Sequence, residues 1–314
     1  MEKKLISIER EDEGFLDFQH IIYYIHGSCM FNCDYCFTIN NRRKNRDLDN
    51  QKKIIDTFLK LKDRFEIYFY GGEPTEYIFL PDVIDYINQN KTDKFYRMQL
   101  QTNLNVSTDY IKNLCNKDNI IVSPSLHISY LRGDSIYDLI EKIDILYDNN
   151  RLERIDFMLE KGNIDKHYEL NDLLTAKPYK DKLMYTFNYM EINKQDKYTG
   201  AHNTYETYKD IIDNHHTQER YKLSYDDGSS ETLDISEMYT RDISFKGWNC
   251  DAGRRLMYVE FNGDWWVCDT KNMKESPQGN ILKNPAKFLI QSYAGVKCNV
   301  DKCDGCYYIA KTKS

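Results

Sequence analysis

His26-Gly-Ser-Cys29-Met-Phe-Asn-Cys33-Asp-Tyr-Cys36-Phe37 follows directly on the apolar run Ile21 to Ile25. Its three cysteines stand in a Cys-x3-Cys-x2-Cys spacing, just past a stretch that reads as the first core strand, roughly His20 to Ile25. Three thiolates this close can hold three irons of a [4Fe–4S] cube and leave the fourth iron without a protein ligand. An open iron is a place for chemistry, whereas a cluster with four cysteine ligands passes electrons or holds a fold together. The competing reading is a zinc knuckle. Zinc sites build four ligands from separated Cys-x2-4-Cys pairs, and here three cysteines crowd one loop.

Working outward, a polar, basic stretch from Asn40 to Arg46 reads as a solvated loop, and residues 50 to 64 read as a helix. That helix places Ile54, Ile55, Phe58 and Leu61 on one face. Glu66 to Tyr70 is a strand that runs into Gly71-Gly72-Glu73-Pro74. Two glycines at a strand end let backbone come close to a ligand, and Pro74 stops the strand beside the Glu73 carboxylate. Strands near 96–101, 120–127, 155–159 and 184–188 then alternate with helices near 108–116, 135–147 and 166–174. Six βα units predict a parallel sheet with right-handed crossovers. A partial barrel is its natural closure, with ligands at the C-terminal strand ends.

On the cysteine loop and Gly-Gly-Glu-Pro together, the chain resembles the radical S-adenosylmethionine (radical SAM) superfamily. The resemblance implies a TIM-like partial (β/α)6 barrel whose Cys29, Cys33 and Cys36 bind the open-iron cluster. The amino and carboxylate groups of S-adenosylmethionine would chelate the free iron, and one electron would cleave the sulfonium to give a 5′-deoxyadenosyl radical that takes a substrate hydrogen. Gly71, Gly72, Glu73 and Pro74 would bind the amino group, and Tyr35 would lie over the adenine. Gln101-Thr102-Asn103 looks like the family's Thr-Asn segment, with Leu104 where a glycine is usual. Ser125-Leu126-His127 looks like its Ser-Leu-Asp, with His127 in place of the acid. Asn103, Ser125 and His127 are therefore expected near the cofactor, His127 as a substrate contact, an acid/base group or a structural histidine.

Residues 248 to 306 carry a second cysteine set. Cys250 precedes an alternating stretch, Leu256 to Phe261, that turns at Asn262-Gly263 and returns through Trp265-Trp266 to Cys268. Gly279-Asn280-Ile281 and a helix near 286–293 follow, and Cys298, Cys303 and Cys306 close the set. This resembles the auxiliary-cluster domain called SPASM in its long form and Twitch in its short form. Five cysteines are too few for the long form, so the resemblance implies one auxiliary [4Fe–4S] cluster held by Cys250, Cys268, Cys303 and Cys306. A zinc ribbon competes for the same four ligands. Cys298 is left over, and Cys115 reads as a core residue in a helix.

The expected organisation is an N-terminal extension over 1–16, the barrel over 17–192, a connector with a β-hairpin over 193–246, and a cysteine-rich auxiliary-cluster domain over 247–314. Lys4 to Ile8 has the alternation of an extra strand, and His215-His216 lie in a charged, solvated stretch. A formal net charge of −7 gives no basic field to draw nucleic acid or anionic membrane. No signal peptide or membrane-length apolar run stands out, and clustered cysteines fit metal ligation rather than disulfides, so a cytoplasmic protein is expected.

The first functional expectation is modification of a peptide or protein side chain, with an electron donor such as flavodoxin or ferredoxin implied by the resemblance. The second is a radical dehydrogenase of a small molecule, such as an aminocyclitol, sugar or nucleotide-like substrate. A non-catalytic iron–sulfur carrier or scaffold is the third, and it needs neither an open iron nor Gly-Gly-Glu-Pro.

Overall fold

The structure is a computed structural model that describes residues 3–11, 18–31, 33, 36, 44–131, 136–159, 163–187, 208, 210–211, 220–234, 241, 243–268, 276–299 and 310–313. After β1 (Leu5–Arg10), strands β2 (Gln19–His26), β3 (Phe65–Gly71), β4 (Phe95–Thr102), β5 (Ile120–Leu126), β6 (Ile155–Leu159) and β7 (Leu183–Phe187) lie side by side. All five pairings among β2 to β7 are parallel. Helices α1 (Leu48–Phe58), α2 (Leu80–Asn90), α3 (Thr108–Cys115), α4 (Ile136–Asp148) and α5 (Ile164–Thr175) fill the crossovers. The strands therefore point their C-terminal ends to one edge, and the loops that follow gather there.

Two helices depart from the sequence reading. α1 begins where the Asp47 side chain accepts from the Asn50 N–H, and it stops at Phe58, short of residue 64. Leu61 still reaches the core through a turn, its N–H donating to the Phe58 carbonyl at 3.0 Å. α2 lies in a stretch to which the sequence reading gave no element. Its periodicity is plain in retrospect, since Leu80, Val83, Ile84 and Ile87 are buried at helical spacing, with Pro81 tolerated in the first turn.

Past the parallel strands, β8 (Arg220–Tyr225) and β9 (Ser230–Asp234) form a hairpin, and β8 also pairs antiparallel with β1. The next strands are β10 (Asn249–Cys250), β11 (Leu256–Glu260), β12 (Asp264–Trp266) and β13 (Gly279–Asn280). They precede α6 (Pro285–Gln291), β14 (Val296–Lys297) and β15 (Lys311–Thr312). β11 pairs in parallel with β2, His20 opposite Leu256, so the hairpin of β11 and β12 extends the parallel sheet. That sheet runs β13-β12-β11-β2-β3-β4-β5-β6-β7, and among the described residues its two ends do not pair. A second sheet, antiparallel throughout, runs β14-β10-β15-β1-β8-β9.

Side-chain alternation assigns each sheet face to a core. Ile21, Tyr23 and Ile25 of β2 face the helices with Phe58, Phe69, Trp265 and Phe288. Ile22 and Tyr24 face the other way, onto a second core of Ile8, Tyr221, Leu223, Trp248, Cys250, Tyr258 and Trp266. Adjacent Trp265 and Trp266 thus enter different cores. At the N-terminal end of the parallel strands, the buried Glu66 is held by His20 Nδ1 at 2.7 Å and Arg97 Nε at 2.9 Å, and Arg97 reaches on to Glu153. Burial pushes the Glu66 carboxyl up, but His20 and Arg97 outweigh it and the net shift is downward. Among the described residues no helix is long and apolar enough to cross a membrane.

Candidate active site

The cysteine loop leaves the end of β2, and backbone hydrogen bonds stitch it to the loop after β3. Gly72 N–H donates to the His26 carbonyl and Glu73 N–H to the Ser28 carbonyl, each at 2.7 Å. This contact explains the glycines. A Cβ on Gly71 would meet the His26 oxygen at 2.3 Å, and one on Gly72 would meet the Ser28 oxygen at 2.2 Å. Gly71 also has a φ of 130°, a conformation side chains rarely adopt. The close approach these glycines allow is to the backbone of the cysteine loop itself.

Glu73 is 2% exposed and held by four donors, only one of them on Oε2. Its Oε1 accepts from Thr75 N–H (3.0 Å), Thr75 Oγ1 (2.6 Å) and Thr102 Oγ1 (2.7 Å), and its Oε2 accepts from Asn103 N–H (2.8 Å). Burial pushes this carboxyl above its ordinary range, and the donors work against that. Pro74 opens a short 3-10 turn for which Glu73 is the cap. Asn103 links this loop to the cysteines, its Nδ2 donating to Cys29 Sγ at 3.6 Å.

Cys29, Cys33 and Cys36 pack in one small cluster with Phe31, Tyr130 and Met158. Cys36 N–H donates to the Cys33 carbonyl at 3.0 Å, and Met30 N–H donates to Glu76 Oε1 at 2.5 Å. Cys33 Sγ lies 4.0 Å from His127 Nδ1, and Phe31 meets the His127 ring edge-to-face. Burial lowers the His127 pKa to about 4, so the ring is neutral near pH 7. The Cys29 thiol is pushed up to about 12, by burial first and then by the Glu73 charge. Metal loading would have to displace the Cys29 thiol proton, and a bound cation would supply the charge that favours the thiolate. Among the described residues no three Cys, His, Asp or Glu side chains close around a single metal ion. A cube would spread its thiolates over separate irons, and Cys29, Cys33 and Cys36 offer three thiols in one packed cluster.

Strands β3 to β6 also carry a polar chain on the sheet face away from the helices. Tyr68 OH donates to Gln101 Oε1, and Gln101 Nε2 donates to Ser125 Oγ and, at 2.7 Å, to Asp156 Oδ2. Arg154 closes it with Nε 3.1 Å from Asp156 Oδ1. Ser125, expected at the cofactor, is thus bonded to Gln101. The structure gathers Cys29, Cys33, Cys36, Glu73, Asn103 and His127 at one place. Tyr35 lies outside the described residues, as do Cys303, Cys306 and His215-His216. Thr75, Glu76 and Met158 escaped the sequence reading, which named Thr102 only as part of the Thr-Asn segment. Thr75 alone had a local signal, two residues after Glu73. The basic stretch also differs from a solvated loop at one point: Asn45 is buried, donating to the Ile25 carbonyl and to His26 Nδ1.

No family model matches the chain. Its structure is similar to anSMEcpe solved with bound AdoMet and the Cp18Cys peptide, with a TM-score of 0.57 and 16% identity. That likeness covers 88% of this chain and 82% of the other. In sequence it is 27% identical over 177 residues to the radical SAM cyclopropyl synthase TigE of Paramaledivibacter caminithermalis. Over part of its sequence the chain is thus similar to a radical SAM enzyme, and its fold is similar to that of an AdoMet-binding protein. It is also 31% identical over 94 residues to an uncharacterized protein of Methanocaldococcus jannaschii. The alignments cover 48% and 30% of this chain but only 37% and 33% of those two relatives, so it spans about a third of their length.

The residue that stands where the sequence resemblance expects a glycine keeps a glycine-like backbone. Leu104 has a φ of 57°, with its N–H donating to Thr102 Oγ1 and its carbonyl accepting from the buried Lys142 Nζ at 3.3 Å. A left-handed leucine costs about 1–2 kcal/mol, and these two bonds and its burial hold it there.

Proposed function

We propose that the cysteine loop and the strand ends around it form the active site of a radical SAM enzyme that modifies a peptide or protein side chain. The observation that carries this is the stitching of the Cys29–Cys36 loop to Gly71-Gly72-Glu73 at one end of parallel strands. When bound, the cluster would supply the electron that cleaves S-adenosylmethionine and so starts hydrogen abstraction from the substrate. Cys29, Cys33 and Cys36 would hold that cluster. Glu73, fixed by Thr75, Thr102 and Asn103, would present a carboxylate to the amino group of S-adenosylmethionine, with Gly71, Gly72 and Pro74 setting its position. Asn103 would steady the Cys29 sulfur. Neutral His127 would bound the site on the β5 side together with Phe31, keeping water from the reacting carbon. Tyr35 would cover the adenine and Ser125 would lie at the substrate side.

We read β2 to β7 as a partial (β/α)6 barrel over 17–192, and 247–314 as a Twitch-like unit holding an auxiliary [4Fe–4S] cluster. A peptide substrate is supported by the peptide bound to the structurally similar anSMEcpe. A second reading, oxidation of a small polar molecule, draws support from the Tyr68–Gln101–Asp156–Arg154 chain, which offers hydrogen bonds rather than an apolar wall. The test is anaerobic reconstitution, dithionite reduction and assay of 5′-deoxyadenosine. We expect about eight irons per chain for two cubes, an EPR signal that S-adenosylmethionine shifts, and 5′-deoxyadenosine formation. Equal 5′-deoxyadenosine from a chain with Cys29, Cys33 and Cys36 all changed to alanine would overturn the assignment. Deuterium transfer from labelled peptides or from labelled small alcohols then separates the two substrate classes.

A further inference from the structure

Cys298 had no role in the sequence, but the register of two short strands gives it one. β10 and β14 pair antiparallel with Asn249 opposite Lys297 and Cys250 opposite Val296. The pairing runs one step further, since Cys298 N–H donates to the Trp248 carbonyl and Gly247 N–H to the Cys298 carbonyl, each at 2.8 Å. Cys298 therefore stands opposite Gly247 and Trp248 together, a one-residue bulge at a glycine with a φ of 85°. Side chains two apart share a face, so Trp248 and Cys250 point the same way, and Cys298 points with them. Cys250 and Cys298 are diagonal neighbours on one face of this ribbon, a relation that places Cα atoms roughly 7–8 Å apart.

That face is the second core. Cys250 is 6% exposed within it, and Cys298 packs against it. Cys268 reaches the same core from another strand pair. β11 and β12 pair with Tyr258 opposite Trp266, and Cys268, two residues on, packs on the core that holds both aromatics. Ala252 N–H donates to Cys250 Sγ at 3.5 Å, the kind of backbone donor that steadies a thiolate. Cys250 in β10, Cys268 just past β12 and Cys298 just past β14 thus border one apolar core, a donor set that fits a cluster.

We propose that Cys298 is a ligand of the same [4Fe–4S] cluster as Cys250 and Cys268. The assignment rests on reading the C-terminal centre as a cluster. It makes Cys298 a fifth candidate for the four ligand places that the sequence expects to be filled. A bystander Cys298 would merely fill space in the core, and the experiment separates the two roles by metal content rather than by catalysis.

The parent for the test is the full chain with Cys29, Cys33 and Cys36 changed to alanine, reconstituted anaerobically, so that all iron belongs to the C-terminal centre. The parent is expected to hold about four irons and matching labile sulfide. Cys298→Ala should lose more than half of that iron, as Cys250→Ala does, whereas Cys115→Ala keeps it all. Cys298→Ser, which guards against a folding failure, should shift the EPR signal of the reduced centre. Parent-level iron in Cys298→Ala together with an unshifted signal in Cys298→Ser overturns the assignment. A parent that binds zinc without sulfide, or no metal, overturns it as well. Failure of the barrel-loop reading appears separately, as a wild-type chain with no more iron than the parent.

Discussion

The two cysteine regions are built in opposite ways. Cys29, Cys33 and Cys36 belong to one short loop, and a neighbouring loop clamps it through two backbone bonds. Cys250 and Cys298 flank one strand pairing and Cys268 follows another, and all three share a core. A local site is set by sequence spacing, whereas a dispersed one is set by sheet register. The first should therefore fail through its loops, and the second through loss of pairing or of single ligands.

The largest expected effect tests that independence. Changing Cys29, Cys33 and Cys36 to alanine should abolish S-adenosylmethionine cleavage while the C-terminal centre keeps its iron, as paired activity and iron assays will show. Loss of iron from both would mean that the regions are one unit. Next, Glu66→Ala removes the carboxylate beneath β2 and β3 and takes a buried partner from both Arg97 and His20, at a cost of about 3 kcal/mol. The lowered Glu66 pKa gives the sign of its pH dependence. Its contribution is in place above the unfolded value near 4.3 and fades as pH falls through the lower folded value. Urea midpoints of wild type and Glu66→Gln should therefore converge as the pH drops below about 4.

A smaller effect is expected for Gly72→Ala. Its Cβ would collide with the Ser28 oxygen, forcing the two loops apart for about 1–3 kcal/mol. S-adenosylmethionine affinity, read by calorimetry, should fall while the iron of the C-terminal centre is untouched. Smallest is Thr102→Val, which removes one of four donors to Glu73 and should weaken S-adenosylmethionine binding by roughly tenfold, about the 1.5 kcal/mol of a bond to a charged group. An unchanged dissociation constant would show that Thr75 and Asn103 suffice.

The same contrast explains what the sequence disclosed. The parallel strands were legible because Ile21, Tyr23 and Ile25, or Ile67 and Phe69, form apolar runs bounded by glycine, proline or polar turns. The cysteine loop and Gly71-Gly72-Glu73 were legible because their chemistry lies within a few residues. Even so, the glycines turned out to seat backbone against backbone, a contact between loops that no spacing reveals. The pairing of β11 with β2, the facing of Cys298 and the His20–Glu66–Arg97 cluster all join distant segments, and distance along the chain erases their pattern.

The parallel pairing of β11 with β2 also has a meaning in time. His20 and Leu256 are partners from opposite ends of the chain. During synthesis β2 emerges early, and its outer edge then waits on the order of ten seconds or more for β11 to leave the ribosome. Through that interval a strand rich in isoleucine and tyrosine presents unpaired backbone groups, the kind of edge that recruits other nascent chains. The yield of native protein should thus depend on translation speed and on chaperones that shield this strand.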